Sequence, residues 1–154
     1  MKNKRINKEL LFVLTAGLVC FSFMAFVVMV FPALKINGEN IKIDGIQAIF
    51  GGEVTEGVET KFNLLSMIGY FLPALAVITS ILAFKTKTII FDIVTMFFVL
   101  AGGVLIILEP TIFKTVNQIA SEIKVSYLIG PIFGIIFSTI SMIFSISCIR
   151  LKLA

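Results

Sequence analysis

Residues 62–108 decide the fold of this chain, and they read FNLLSMIGYFLPALAVITSILAFKTKTIIFDIVTMFFVLAGGVLIIL. Two apolar stretches, 63–84 and 88–108, flank the short basic turn Lys85-Thr86-Lys87. They contain 22 and 21 residues, and a helix needs about 20 residues to cross the hydrocarbon of a bilayer. A connection this short places the two helices side by side and antiparallel. The sequence therefore predicts a helical hairpin that spans a membrane.

Two further apolar stretches lie on either side of this hairpin. Residues 10–34 and 125–149 are each 25 residues long and contain no charged side chain. The first is much longer than the apolar region of a signal peptide, about 7 to 15 residues, so we expect it to remain as a span. We therefore predict an all-α transmembrane protein, a single four-helix membrane bundle over residues 1–154, with spans at 10–34, 63–84, 88–108 and 125–149.

The overall composition agrees with this pattern. Of the 154 residues, 58% are hydrophobic and 14% are charged, and the mean hydropathy is +1.09. An ordinary soluble domain is excluded by these values. The lipid bilayer is thus the first partner that the sequence predicts.

Charge asymmetry predicts the orientation. The two tails and the turn at 85–87 together carry eight Lys and Arg with one acid, Glu9, whereas segments 35–62 and 109–124 carry five Lys with seven acids. Because basic residues concentrate on the cytoplasmic side of membrane proteins, we expect both termini to be cytoplasmic and both longer segments to be outside. The predicted location is the cell membrane.

The two outer segments have different patterns. In 35–62, the turn dipeptide Asn37-Gly38 precedes alternating apolar and polar residues at 40–44, which predicts a β-hairpin within a small extracellular sheet. In 109–124, apolar residues recur at helical spacing after Pro110. Since proline favours a helix start, we predict an outer amphipathic helix that lies across the surface, on lipid or on the sheet.

Small residues recur at intervals of three or four along the fourth span, which predicts a helix-packing face. We call this set the small-residue stripe; it consists of Gly130, Gly134, Ser138, Ser141 and Ser145. Such a face lets another helix approach closely. The neighbour is either the first span of the same chain or a second copy of the protein.

Asp92 is the one ionisable residue within a predicted span. Such residues are candidates for ion or proton sites, because a charge in the membrane is costly. However, Asp92 lies about one turn from the cytoplasmic end, within reach of Lys85 or Lys87. A structural role, in which Asp92 is paired or solvated, is therefore the alternative.

The sequence indicates no enzyme. The chain has no histidine, no phosphate-binding Gly-Lys-Ser/Thr loop and no nucleophile motif, so we expect no catalytic residues and no cofactor. The acidic group Glu53, Glu56 and Glu59 lacks the spacing of a calcium loop, and we predict no metal site. Cys20 and Cys148 lie within spans and are expected to be inert thiols. The basic residues flank spans, which argues against nucleic-acid binding.

The order of the segments resembles the claudin-like, or tetraspan, layout: span, β-rich outer segment, span, short turn, span, shorter outer segment, span. Claudins carry a Gly-Leu-Trp motif and two cysteines in the first outer segment, where this chain has Gly45-Ile46-Gln47 and Ile49-Phe50-Gly51-Gly52. The resemblance thus implies the layout and not junctional adhesion. Segment 45–52 is also similar to one found in small bacterial four-span membrane proteins that have no assigned function.

Two functional hypotheses follow from these patterns. The first is a non-enzymatic interaction or accessory protein of the cell envelope, whose outer segments contact a membrane or envelope protein, or a second copy of the chain. The second is a small homo-oligomeric transporter or channel component that uses Asp92.

Overall fold

The computed structural model describes residues 8–37, 41–55 and 58–153. Within these ranges four helices are long and apolar enough to cross a membrane. They are α1 (Lys8–Val27, extended by a 3-10 turn at Val28–Val30), α3 (Leu64–Thr86), α4 (Ile89–Val116) and α5 (Ile129–Leu153). The predicted helical membrane protein with four candidate spans is therefore confirmed. The turn residues 38–40, Glu56 and the basic residues of the N-terminal tail before Lys8 lie outside the described residues.

The four helices form a ring in which α1 contacts α3 and α5, and α4 contacts α3 and α5. The α3–α4 interface is the most extensive, as expected for the predicted helical hairpin. Lys87 ends α3 in the left-handed conformation, with φ 57°, and Thr88 precedes α4. We call this end of the bundle the tail end, and the opposite end, which carries the strands, the sheet end.

Close approach of α3 and α4 depends on two glycines. A Cβ atom on Gly102 would lie 2.8 Å from Cδ of Pro73 and 3.0 Å from the carbonyl oxygen of Gly69. A Cβ atom on Gly69 would lie 3.0 Å from Cβ of Leu105. Because lipid is as apolar as the helices, van der Waals contact of this kind is a main source of attraction between them.

The sheet end carries a three-stranded antiparallel sheet in the order β2-β1-β5. β1 (Pro32–Ile36) follows α1 and pairs with β2 (Ile41–Asp44), which confirms the hairpin predicted around Asn37-Gly38. β5 (Val125–Tyr127) pairs with the other edge of β1. A separate hairpin is formed by β3 (Gly52–Thr55) and β4 (Val58–Thr60).

A short helix, α2 (Gly45–Phe50), connects the sheet to this second hairpin. Asp44 and Gln47 form a capping box at its start, so each satisfies a backbone N–H group of the first turn. Gly45 is required at this point, because a Cβ atom there would collide with the carbonyl group of Met29. The start of α2 therefore packs directly against the end of α1.

The prediction of an outer amphipathic helix over 109–124 is wrong. α4 continues through Pro110 to Val116, and residues 117–124 form turns. Proline removes one backbone donor and strains the helix, but membrane helices tolerate it when neighbouring groups contact the freed backbone. The continuation also buries Phe113, which is 0% exposed, beneath the sheet.

Two predicted spans also extend too far into the sheet end. Residues 32–34, assigned to the first span, belong to β1, and residues 125–127, assigned to the fourth span, form β5. Ala33 and Leu34 are fully buried within the sheet cluster. Hydropathy marks them as apolar without distinguishing a buried strand from a span, which is why the boundaries differ.

Candidate functional site

Asp92 lies in the first turn of α4 and forms a buried ion pair with Lys152 of α5. The Lys152 Nζ lies 2.5 Å from Asp92 Oδ2, and the two side chains are only 2% and 4% exposed, respectively. Nζ also donates a hydrogen bond of 2.8 Å to the carbonyl oxygen of Ala83, at the end of α3. The lysine that pairs with Asp92 is therefore Lys152, and not Lys85 or Lys87, which the sequence places within reach of Asp92.

This ion pair joins three helices at the tail end. Asp92 is placed where the N-terminal dipole of α4 favours a negative charge, and Lys152 where the C-terminal dipole of α5 favours a positive one. Ser145 Oγ of α5 also donates to the backbone carbonyl of Asp92, at 3.3 Å. The geometry therefore matches the structural alternative for Asp92 better than a free ion site.

A second buried carboxylate, Glu109, lies on α4 toward the sheet end and is 1% exposed. Tyr70 of α3 donates its hydroxyl to Glu109 Oε2 at 2.7 Å. The other oxygen, Oε1, has no partner among the described residues. This site lies outside the predicted third span, which ends at Leu108.

The helical periodicity of the sequence indicates that Glu109 is buried. The buried face of α4 includes Gly102, Ile106 and Phe113, and position 109 falls on this face, three residues after Ile106 and four before Phe113. Extending the helical periodicity through Pro110 would have placed Glu109 inside the bundle.

Two further polar residues lie on the same face of α3 as Tyr70. Ser66 and Asn63 are buried, and both Ser66 Oγ and Asn63 Nδ2 are without a hydrogen-bond partner in the described part of the chain. Asn63 Oδ1 caps α3 by accepting from the Ser66 backbone N–H at 3.2 Å. We refer to Asn63, Ser66, Tyr70 and Glu109 as the polar cluster. Apolar residues surround its tyrosine, among them Val28, Ile49 and Ile106.

Tyr127 of β5 lies beside the polar cluster. Its hydroxyl donates to the carbonyl of Ile107, next to the Ile106 carbonyl that loses its helical N–H partner at Pro110. Burial and, secondarily, the nearby Glu109 raise the pKa of the Tyr127 hydroxyl above its usual value. The hydroxyl therefore stays protonated at neutral pH and remains a donor to this carbonyl.

All five residues of the small-residue stripe are buried on α5, together with Cys148. A Cβ atom on Gly134 would lie 3.2 Å from Val28 Cγ2 and 3.4 Å from Ile106 Cδ1, and one on Gly130 would lie 3.1 Å from the Val28 carbonyl oxygen. The stripe thus faces the end of α1 and α4 of the same chain. The sequence left two neighbours open for this stripe, the first span of the same chain or a second copy of the protein. These contacts are with the first span of the same chain.

The acidic residues of the second hairpin are arranged as a pair. Glu53 and Glu59 face each other across β3 and β4, and both are exposed. Among the described residues, no three His, Cys, Asp or Glu side chains lie together in a way that could hold a metal ion. Cys20 is exposed on α1, and the Cys148 sulfur lies 4.0 Å from Thr15 Oγ1.

Comparison of the chain with protein families, with curated proteins and with solved structures finds no match.

Proposed function

We propose that this protein is a non-enzymatic interaction or accessory protein of the cell envelope, with both termini in the cytoplasm and the sheet outside. In this proposal the bundle is an anchor, and the sheet end is a rigid platform that contacts a partner protein. The observation that carries the proposal is the continuous packing between the sheet and the helix ends.

This packing centres on Phe113, which lies at the end of α4 within the cluster formed by β1, β2 and α2. Ile119 and Ile123, in the turns after α4, pack against the same cluster. Burying an aromatic side chain of this size contributes about 1.5–3 kcal/mol. The sheet therefore has a core of its own that includes a residue of the transmembrane helix.

Backbone hydrogen bonds add to this connection. The Leu128 N–H donates to the Ala33 carbonyl at 2.7 Å, where β5 leads into α5, and the Gly45 N–H donates to the Phe31 carbonyl at 3.1 Å. The Lys61 N–H donates to Asn117 Oδ1 at 2.7 Å, which joins the segment before α3 to the turn after α4. Such a platform can present a fixed surface with little loss of conformational entropy on binding.

The exposed surface of the platform is acidic at the second hairpin, because Glu53 and Glu59 point to solvent side by side. Like charges opposite each other in a sheet destabilise it. A basic surface on a partner would relieve this repulsion and be guided to the site by charge complementarity. We therefore expect the partner to be an envelope or membrane protein with basic residues at the contact.

The state of Asp92 supports this proposal over the transporter or channel alternative. A transport site needs a carboxylate that can exchange its ion, whereas the Asp92 carboxylate is held by the Lys152 ammonium. Breaking such a buried pair leaves an unpaired charge and costs about 3–5 kcal/mol. An exchangeable ion site at Asp92 would need this pair to open.

Site-directed cross-linking at native expression level tests the proposal. Cys20 is first changed to Ser, because it is exposed. A cysteine-linked photo-cross-linker at Glu59→Cys should capture one specific protein, whereas the same probe at Lys87→Cys, at the tail end, should not. Purification in mild detergent should recover the same partner. A pure protein with no cross-linked partner at Glu59→Cys would contradict the proposal.

A further inference from the structure

Three polar atoms of the polar cluster are buried without a hydrogen-bond partner in the described residues: Asn63 Nδ2, Ser66 Oγ and Glu109 Oε1. All three side chains belong to residues that are no more than 2% exposed. Buried polar groups in native proteins are nearly always hydrogen-bonded, so each exception needs an explanation. The described residues contain six such atoms; these three lie at the sheet ends of α3 and α4, and the Glu109 oxygen is the one that belongs to a carboxyl group.

The register of the two helices places Ser66 and Glu109 at the same level, with Asn63 about one turn closer to the sheet end. Gly69 of α3 lies opposite Leu105 and Ile106 of α4, since a Cβ atom on Gly69 would be 3.0 Å from Leu105 Cβ and 3.7 Å from the Ile106 nitrogen. Because the helices are antiparallel, one turn toward the sheet end leads from Gly69 to Ser66 and from Ile106 to Glu109. The hydrogen bond between Tyr70 and Glu109 agrees with this register.

Among the described residues, an ionised Glu109 would have no positive partner at this position. The titratable groups that face it from the elements packed against it are Tyr70 of α3 and Tyr127 of β5. Both are neutral hydroxyls, and the ion pair found in the described residues is that between Asp92 and Lys152 at the other end of α4. A buried carboxylate with one neutral donor is unfavourable, so the site favours a ligand that removes its charge.

We propose that the polar cluster is a proton-binding site in which Glu109 carries the exchangeable proton. A hydronium ion gives up a proton and leaves as water, and the proton forms an O–H bond at a Glu109 carboxylate oxygen, which makes the side chain a neutral acid. A metal ion does not fit, because cations such as Ca²⁺ need six or more oxygen ligands. The cluster offers few free oxygens, and the free group of Asn63 is an N–H donor.

Protonation of Glu109 affects the helix ends that support the platform at the sheet end. Glu109 lies one turn before Phe113, which packs beneath the sheet, and Asn63 caps the first turn of α3. When the proton leaves, the carboxylate attracts the free Nδ2 of Asn63 and the hydroxyl of Ser66. Attraction of these two groups acts on the first turn of α3 and on the last turns of α4, which support the sheet.

Infrared difference spectroscopy of the full chain in vesicles tests this proposal. The wild type at neutral pH should show the C=O band of a protonated carboxyl group, which shifts in D₂O. The band should vanish in Glu109→Gln and persist in Asp92→Asn, the matched change at the ion-paired carboxylate. Absence of the band in the wild type, or its persistence in Glu109→Gln, would overturn the proposal.

A pH titration provides a second readout that does not require Glu109 to be replaced. Tyr70→Phe removes the hydroxyl that stabilises the ionised carboxylate, so the band should be lost at a pH about one unit higher than in the wild type. A downward or absent shift would contradict the assignment. Loss of the band on adding Na⁺ at constant pH would show that the site takes a metal cation instead, and would also overturn the proposal.

Discussion

Lys152 in the last turn of α5 contacts Asp92 in the first turn of α4, with Nζ 2.5 Å from Oδ2. The same ammonium group donates to the last turn of α3 through the Ala83 carbonyl. One side chain thus joins three of the four long helices at the tail end. Its removal is expected to affect the whole bundle and not only a local contact.

Loss of this ion pair should lower stability strongly. Lys152→Ala leaves Asp92 buried without a positive partner, and the expected cost is about 3–5 kcal/mol. The double change Asp92→Asn with Lys152→Met should recover most of it, because no unpaired charge remains. Thermal unfolding in detergent measures both. Lys87→Ala, which removes an exposed lysine from the same end of the bundle, is the control, and equal melting of Lys152→Ala and Lys87→Ala would refute the prediction.

Phe113 should be essential for the platform. Truncation by Phe113→Ala removes a fully buried ring beneath the sheet, with an expected cost of about 3–5 kcal/mol. Phe97→Ala on the same helix is the matched control, because that ring is 65% exposed and points away from the bundle. Limited proteolysis of the sheet end should become faster in Phe113→Ala alone. If both variants are cleaved at the wild-type rate, the sheet does not depend on this contact.

Bulky side chains on the small-residue stripe should disrupt helix packing. At Gly134 a large side chain would collide with Val28 and Ile106, which lie within 3.5 Å of an added Cβ atom. Ile136 is 45% exposed on the opposite side of α5. We therefore expect Gly134→Leu to lower the melting temperature in detergent well below that of Ile136→Phe. Equal stability of the two variants would mean that the stripe is not a packing face.

The predicted orientation can be tested by labelling with a membrane-impermeant thiol reagent in intact cells. Glu59→Cys, on the second hairpin, and Glu56→Cys, in the predicted outer segment 35–62, should be labelled, whereas Lys85→Cys at the tail end should not. Because Cys20 is exposed on α1, the variants are made in a Cys20→Ser background. Labelling of Lys85→Cys without labelling of the hairpin would reverse the assignment of the two sides.

Several features of the fold were determined by the sequence by itself. Long charge-free stretches make helices the favourable way to satisfy the backbone in lipid, and the short turn at 85–87 leaves α3 and α4 adjacent. Local turn chemistry at Asn37-Gly38 was sufficient to predict the hairpin of β1 and β2. In each case the signal lies within a few residues of the element it specifies.

Other features were decided by the tertiary structure. Lys152 reaches Asp92 across 60 residues, and β5 pairs with β1 across an even longer stretch of chain, with Leu34 opposite Tyr127, so neither partner is marked by local pattern. α4 passes through Pro110 because burial of Phe113 beneath the sheet offsets the lost hydrogen bond, whereas the local signal of a proline is a helix boundary. The polar cluster exists for the same reason: close packing at Gly69 and Gly102 brings Glu109 against α3 and buries it.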